Sequence, residues 1–161
     1  MAKATEKTNV MRLLDAAAIP YRGHSYDAAD GRIDGVSVAE KLGLPPEQVF
    51  KTLLIQGAGG GYYVFILPVA AELDLKKAAR ACGEKSVAMA PAKELLKLTG
   101  YVHGGCSPIG MKKPFPTYLD ESAILLDTMV CSAGKIGSQV ELAPDELLGI
   151  VHGEYVDLCK G

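Results

Sequence analysis

Tryptophan is absent, and the four cysteines, Cys82, Cys106, Cys131 and Cys159, form no Cys-x-x-Cys pair and no metal-finger spacing. The three histidines, His24, His103 and His152, are equally scattered, so spacing points to no metal site and no resident cofactor. No long hydrophobic run exists. The longest, Tyr62–Ala71, is too short for a transmembrane helix and carries Pro68. The N-terminal stretch lacks the apolar core of a signal peptide, because Lys3, Glu6, Lys7 and Arg12 interrupt it. A cytoplasmic location with reduced cysteines, packed as small hydrophobes, is the expectation. An excess of positive charge is missing too: 17 Lys and Arg face 19 Asp and Glu, for a net charge of −2. That argues against DNA and against any nucleic acid held on a broad basic face, while leaving room for one RNA end gripped by a few lysines.

What is present fits one globular domain: 161 residues, 48% hydrophobic and 22% charged, with no repeat, linker or low-complexity segment. Thr5–Ala18 reads as an amphipathic helix stopped by Pro20. A short strand over Tyr21–Tyr26 leads into the Gly- and Asp-rich stretch Asp27–Gly35, expected to be a mobile loop that covers a site. Ser37-Val-Ala-Glu40 has the form of a capping box for a short helix ended by Gly43. Phe50–Gln56 and Tyr62–Leu67 are β-rich runs joined by a five-residue glycine-rich connection, which predicts a hairpin. Alternation in the first run puts Lys51 on one face with Leu53 and Ile55. Such a lysine either snorkels from the strand's end or faces a cavity with an anionic ligand.

Asp74 predicts a helix with Leu75, Ala78, Ala79 and Cys82 inward, and Pro91 is placed to start another that Gly100 ends. Ser86–Met89, Thr117–Leu119, Ile124–Leu126, Thr128–Cys131, Gln139–Ala143 and Glu154–Leu158 are short strand candidates; Ser132–Gly137 reads as a small-residue turn, and Pro144 as the start of a last helix. Interspersed helices among more numerous strands predict a mixed α+β fold, with a curled mixed sheet packed against several helices.

Thr99–Lys113, Thr-Gly-Tyr-Val-His-Gly-Gly-Cys-Ser-Pro-Ile-Gly-Met-Lys-Lys, reads as a strand end at Tyr101–His103 running into a glycine loop. Successive free N–H groups in such a loop suit an oxyanion or phosphate, although Gly-Gly serves equally as an ordinary connection. The loop, the strand Val49-Phe-Lys-Thr-Leu-Leu54, the turn Ser132-Ala-Gly-Lys-Ile-Gly137 with Val140-Glu-Leu142, and Leu73-Asp-Leu-Lys-Lys77 together resemble the YbaK/EbsC family of aminoacyl-tRNA deacylases. The resemblance runs over nearly the whole chain, with the motifs in the family's order, and is strongest to the branch that clears cysteine from tRNA(Pro).

That resemblance implies a mixed α/β editing domain, also found inserted in some prolyl-tRNA synthetases, that hydrolyses a wrong amino acid from tRNA. It implies that Lys51 holds the terminal nucleotide or the ester carbonyl, and that the Gly104 and Gly105 amides face the scissile carbonyl. It further implies that Tyr26, Ser107, Ser132 and Gly134 contribute to the pocket, with Lys76, Lys77, Lys112 and Lys113 as tRNA contacts. The partners implied are mischarged Cys-tRNA(Pro) and a prolyl-tRNA synthetase. Some relatives carry an acid where this chain has Gln139, so an acid–base role is not carried over there. No side chain offers itself as nucleophile; Cys106 lies in the right loop but is expected to pack. In the cysteine branch the substrate's own thiol attacks its carbonyl. An alanyl-tRNA(Pro) deacylase and a non-catalytic module that binds the aminoacyl-tRNA end are the rival readings.

Overall fold

Short polar side chains at the right places start most helices. The computed structural model describes residues 7–161, so Thr5 and Glu6 of the first expected helix lie outside the described residues. Helix α1 spans Asn9–Ala16; Thr8 caps it by accepting from the Met11 N–H, and Val10, Met11 and Leu14 are buried. Strand β1 (Arg22–Ser25) precedes helix α2 (Gly35–Leu42). The capping box expected at Ser37 does not form. Asp34 caps α2 instead, because its carboxylate takes both the Ser37 N–H and the Ser37 hydroxyl, and Ser37 is drawn into the buried first turn.

Strands β2 (Phe50–Gly57) and β3 (Tyr62–Pro68) form the expected antiparallel hairpin, with Lys51 opposite Leu67. Helix α3 (Leu75–Cys82) is capped by Asp74, strand β4 is Val87–Met89, and helix α4 is Ala92–Thr99 with Pro91 at the cap rather than inside the first turn. Leu75, expected to face inward, is exposed. Strand β5 (Thr117–Asp120) is followed by a 3-10 turn over Glu121–Leu125, where a strand was expected at Ile124–Leu126. The Asp120 carboxylate accepting from the Ser122 N–H starts that turn. Strands β6 (Met129–Lys135) and β7 (Ser138–Leu142), helix α5 (Pro144–Val151) and strand β8 (Glu154–Val156) complete the chain. The turn expected at Ser132–Gly137 is confined to its last residues, because β6 continues through an irregularity between Ser132 and Lys135.

The fold is mixed α+β, but the strands divide over two sheets rather than one. The first is antiparallel, in the order β1-β7-β6; the second is mixed, in the order β4-β2-β3-β5-β8, with β5 parallel to both neighbours. They touch at a parallel bridge between Val49 and Val130. The five-stranded sheet is buried on both faces. Phe50, Leu54, Val64 and Ile66 pack with α1, α5 and the small sheet, while Ile55, Phe65 and Leu67 pack under Ala78 and Ala79 of α3. This explains the continuous apolar run of β3.

A glycine fixes how α2 sits on this frame. A Cβ at Gly35 would lie 2.3 Å from Val69 Cγ1 and 2.6 Å from Val69 Cβ, and a β-branched neighbour cannot swing away. Gly35→Ala is expected to destabilise the protein by about 1–3 kcal/mol, with Val69→Ala in the same chain recovering part of it. Urea denaturation of the single and double variants checks this.

Candidate active site

Beyond the Val49–Val130 bridge, β2 and β6 diverge, and the wedge between them is a cleft of about 460 Å³. Val49 and strand β2 from Phe50 to Leu54 form its floor. The start of α2 with Ile33 and Asp34 makes one wall, and Met89, Ala90 and Pro91 with Leu95 of α4 make another. His103, Gly104 and Cys106 with Ser132 and Gln139 close the remaining side.

Lys51 is the cation on this floor. It is half-buried, and its Nζ donates to the Ala71 carbonyl at 2.7 Å. Burial pushes its pKa below the ordinary lysine value, an effect partly opposed by the nearby Cys159 and Glu72. Lys51 therefore borders the cleft while its ammonium is tied to the Ala71 carbonyl rather than left free at the strand's end.

The glycine loop is held from below. Tyr101 and its neighbours are not a strand end: the Thr99 hydroxyl accepts from the Tyr101 N–H while donating to the Leu95 carbonyl, which turns the chain off α4. The Tyr101 hydroxyl then donates to the Ile109 carbonyl at 2.5 Å and struts the loop. Gly134 makes room for that ring, since a Cβ there would lie 2.9 Å from Tyr101 Cε1. Gly134 therefore supports the loop and does not line the cleft. Its N–H donates to the Ser132 hydroxyl, which leaves the Ser132 proton for another acceptor.

The two glycine amides differ. Gly105 donates its N–H to the Val102 carbonyl at 3.0 Å, so that amide is used within the loop. Gly104 has φ +86° and lines the cleft, and among the described residues its N–H has no acceptor. Of the two glycines, only Gly104 both lines the cleft and keeps an N–H that no described residue accepts. Cys106 also borders the cleft, but burial pushes its thiol up to about 12, so almost no thiolate exists at neutral pH. Cys106→Ala is expected to change the rate of any ester cleavage here by less than about threefold.

The remaining expected residues lie outside the cleft. Tyr26 is buried with its hydroxyl unpartnered, and Lys41 Nζ sits 5.8 Å above its ring. Ser107 is fully buried, its hydroxyl accepting from the Ile109 N–H. Lys77 is engaged by Asp157 and the Cys159 carbonyl, whereas Lys76, Lys112 and Lys113 are exposed. The loop Asp27–Gly35 does reach the cleft, but Lys41 ties it down through the Asp27 carbonyl, the Asp30 carboxylate and the Arg32 carbonyl.

Sequence reasoning missed Asp34 and Thr52 as cleft residues, and it marked Gln139 only as a family position where some relatives carry an acid. Asp34 is held below the usual carboxylate range chiefly by the Ser37 hydroxyl, so it serves its helix as an ionised cap. Gln139 stands opposite Ser132 across the β6–β7 ladder, a pairing invisible before the register is known. No group of three or more His, Cys, Asp or Glu suited to a metal occurs among the described residues.

Residues 34–150 match the model of the aminoacyl-tRNA editing domain. The chain belongs to that family. The matched segment holds the cleft from Asp34 to Gln139. The editing-domain chain is 44% identical to EbsC of Enterococcus faecalis, a candidate Cys-tRNA(Pro)/Cys-tRNA(Cys) deacylase, over 97% of this chain and 95% of that one. It is also 26% identical to part of the proline–tRNA ligase of Burkholderia thailandensis, covering 84% of this chain and 24% of the ligase. Among solved structures, a candidate trans-editing enzyme for prolyl-tRNA synthetase superposes with a TM-score of 0.79 at 26% identity, covering 97% of this chain and 100% of that one. The YbaK-type editing fold is thereby shown for this chain.

Proposed function

We propose that this editing domain acts in trans to clear cysteine mischarged on tRNA(Pro), and that the cysteinyl thiol is the nucleophile. The observation that carries the reading is a cleft with a cation and a free main-chain donor but no activated protein nucleophile. Lys51 and the Gly104 N–H supply the hold on the ester and the stabilisation of its developing oxyanion, and the only cleft thiol, Cys106, stays protonated.

In the proposed step the substrate Sγ bonds to its own carbonyl carbon and the ester C–O bond breaks. The tRNA 3′-terminal oxygen takes the proton, and a cyclic thiolactone leaves for hydrolysis by water. Proximity within one substrate supplies a large part of such a barrier, about 7–11 kcal/mol in well-oriented cases. Lys112 and Lys113, exposed just beyond the glycine loop, are the proposed phosphate contacts. With so few of them, binding is expected to be weak and salt-sensitive, and a prolyl-tRNA synthetase is the proposed partner that delivers the tRNA.

Release of amino acid from cysteinyl- and alanyl-tRNA(Pro), measured in parallel, tests the reading. Faster cysteinyl release by about a thousandfold or more is expected, because the alanyl ester has no thiol to supply the intramolecular attack. Equal or faster alanyl release would replace it with an alanyl-specific deacylase.

A further inference from the structure

The wedge between β2 and β6 leaves part of β2 without a ladder partner. Odd residues of β2 bond to β3, as the Val69 N–H on the Val49 carbonyl and the Gly57 N–H on the Gly61 carbonyl show. Even residues therefore turn their N–H and C=O to the opposite edge. On that edge Gln48 accepts from the Val130 N–H at one end, and Leu54 accepts from the Ala90 N–H at the other. The β4 ladder covers only Ile55–Gly57, and the β6 contact only Val49. Thr52 lies in the interval, and its main-chain donor and acceptor border the cleft with no ladder partner. Leu54 follows with its N–H on the same edge.

Two independent features point to a flat, partly apolar ligand along this edge. Met89 and Val36, both lining the cleft, are 56% and 41% exposed and set apolar surface beside this edge on which a planar group can stack. The Thr52 hydroxyl is also buried without a partner.

We infer that the open edge of β2 at Thr52 reads the Watson–Crick edge of the 3′-terminal adenine of the aminoacyl-tRNA. The inference rests on the proposed editing reaction, since that reaction brings a terminal adenosine to Lys51, the residue before Thr52. The Thr52 carbonyl accepts from the adenine N6 amino group, and a main-chain N–H of the same edge, on Thr52 or Leu54, donates to N1. Adenine presents its donor and acceptor side by side in that arrangement. Guanine, with O6 and N1–H, presents the reverse, so the same two groups would repel it. A main-chain reader cannot be removed by side-chain substitution, which suits a nucleotide common to every tRNA.

The test changes the substrate. Minihelices ending in adenosine, purine riboside (no N6 amino group), 1-deazaadenosine (no N1) and 7-deazaadenosine (Watson–Crick edge intact) are charged with cysteine, and kcat/KM is measured. Purine and 1-deaza ends are expected to lose about tenfold to a hundredfold, and the 7-deaza end to stay within about threefold. Equal cleavage of all four overturns the inference, as does a 7-deaza loss matching the others. Thr52→Val keeps the main chain and is expected to preserve the same ranking; a ranking that vanishes with the hydroxyl also overturns it. The uncharged minihelices are ranked by binding in parallel. If the adenosine substrate binds in this order but is not cleaved, the editing reaction fails and the adenine site stands. If all four ends are cleaved without discrimination, the editing reaction stands and the adenine site fails.

Discussion

Lys51→Met is expected to lower kcat/KM on cysteinyl-tRNA(Pro) by about 100- to 1000-fold, the range found when a group that stabilises an oxyanion is removed. Methionine keeps an unbranched stem on β2, so the hairpin register survives. The lost hydrogen bond to the Ala71 carbonyl costs about 1 kcal/mol. That cost is offset in part by removing a cation that burial disfavours, so the unfolding midpoint should barely move. A large kinetic loss with unchanged stability separates a catalytic lysine from a structural one.

The same lysine sets a pH signature. Its folded pKa lies below the ordinary 10.5, so the charged form is lost earlier on the way to high pH than a free lysine would lose it. Activity should therefore fall on an alkaline limb below 10.5. Lys51→Arg, whose charge persists, should abolish that limb even if its rate is low. A limb that survives in Lys51→Arg belongs to some other group.

Gly104→Ala is the second substitution with a large expected effect. Its φ of +86° strains any L side chain, which costs about 1–2 kcal/mol in this region. The added Cβ would also meet Ile33 Cδ1 at 2.6 Å, but that atom is the far end of a flexible chain and can move. Relief of the strain by a φ change would swing the N–H out of the cleft. We expect kcat/KM to fall by about 30- to 300-fold, in the range for a lost main-chain oxyanion donor. Gly104→Ala with Ile33→Ala should recover little, because the backbone angle and not the clash carries the loss. Recovery to near wild type would instead make Gly104 a packing residue.

Much of the fold was legible where the chain punctuates itself. The glycines after Gly57 define the β2–β3 hairpin, Asp74 and Gly83 bracket α3, and Pro144 starts α5. Asp34 was not legible as a cap because Ser37 and Glu40 form a convincing box three residues later, and only the folded loop brings the carboxylate to both Ser37 donors. The glycine loop and Lys51 were legible through family resemblance, yet the division of labour within Gly104-Gly105 was not. It depends on a single turn bond from Gly105 to Val102. The cleft itself had no local signal. It exists because β2 and β6, distant in sequence, meet at Val49 and Val130 and then part, which leaves the Thr52 edge open, while the β6–β7 register sets Ser132 opposite Gln139.

Single-turnover cleavage of cysteinyl- against seryl-tRNA(Pro) at saturating protein is the most direct measurement, because serine keeps the shape and replaces only the thiol. If the substrate supplies the nucleophile, cysteinyl release should exceed seryl release by about a thousandfold or more, given the barrier share of an intramolecular attack. Comparable rates on the two esters would mean that water or a protein group attacks, and would contradict a cleft that lends the reaction no nucleophile of its own.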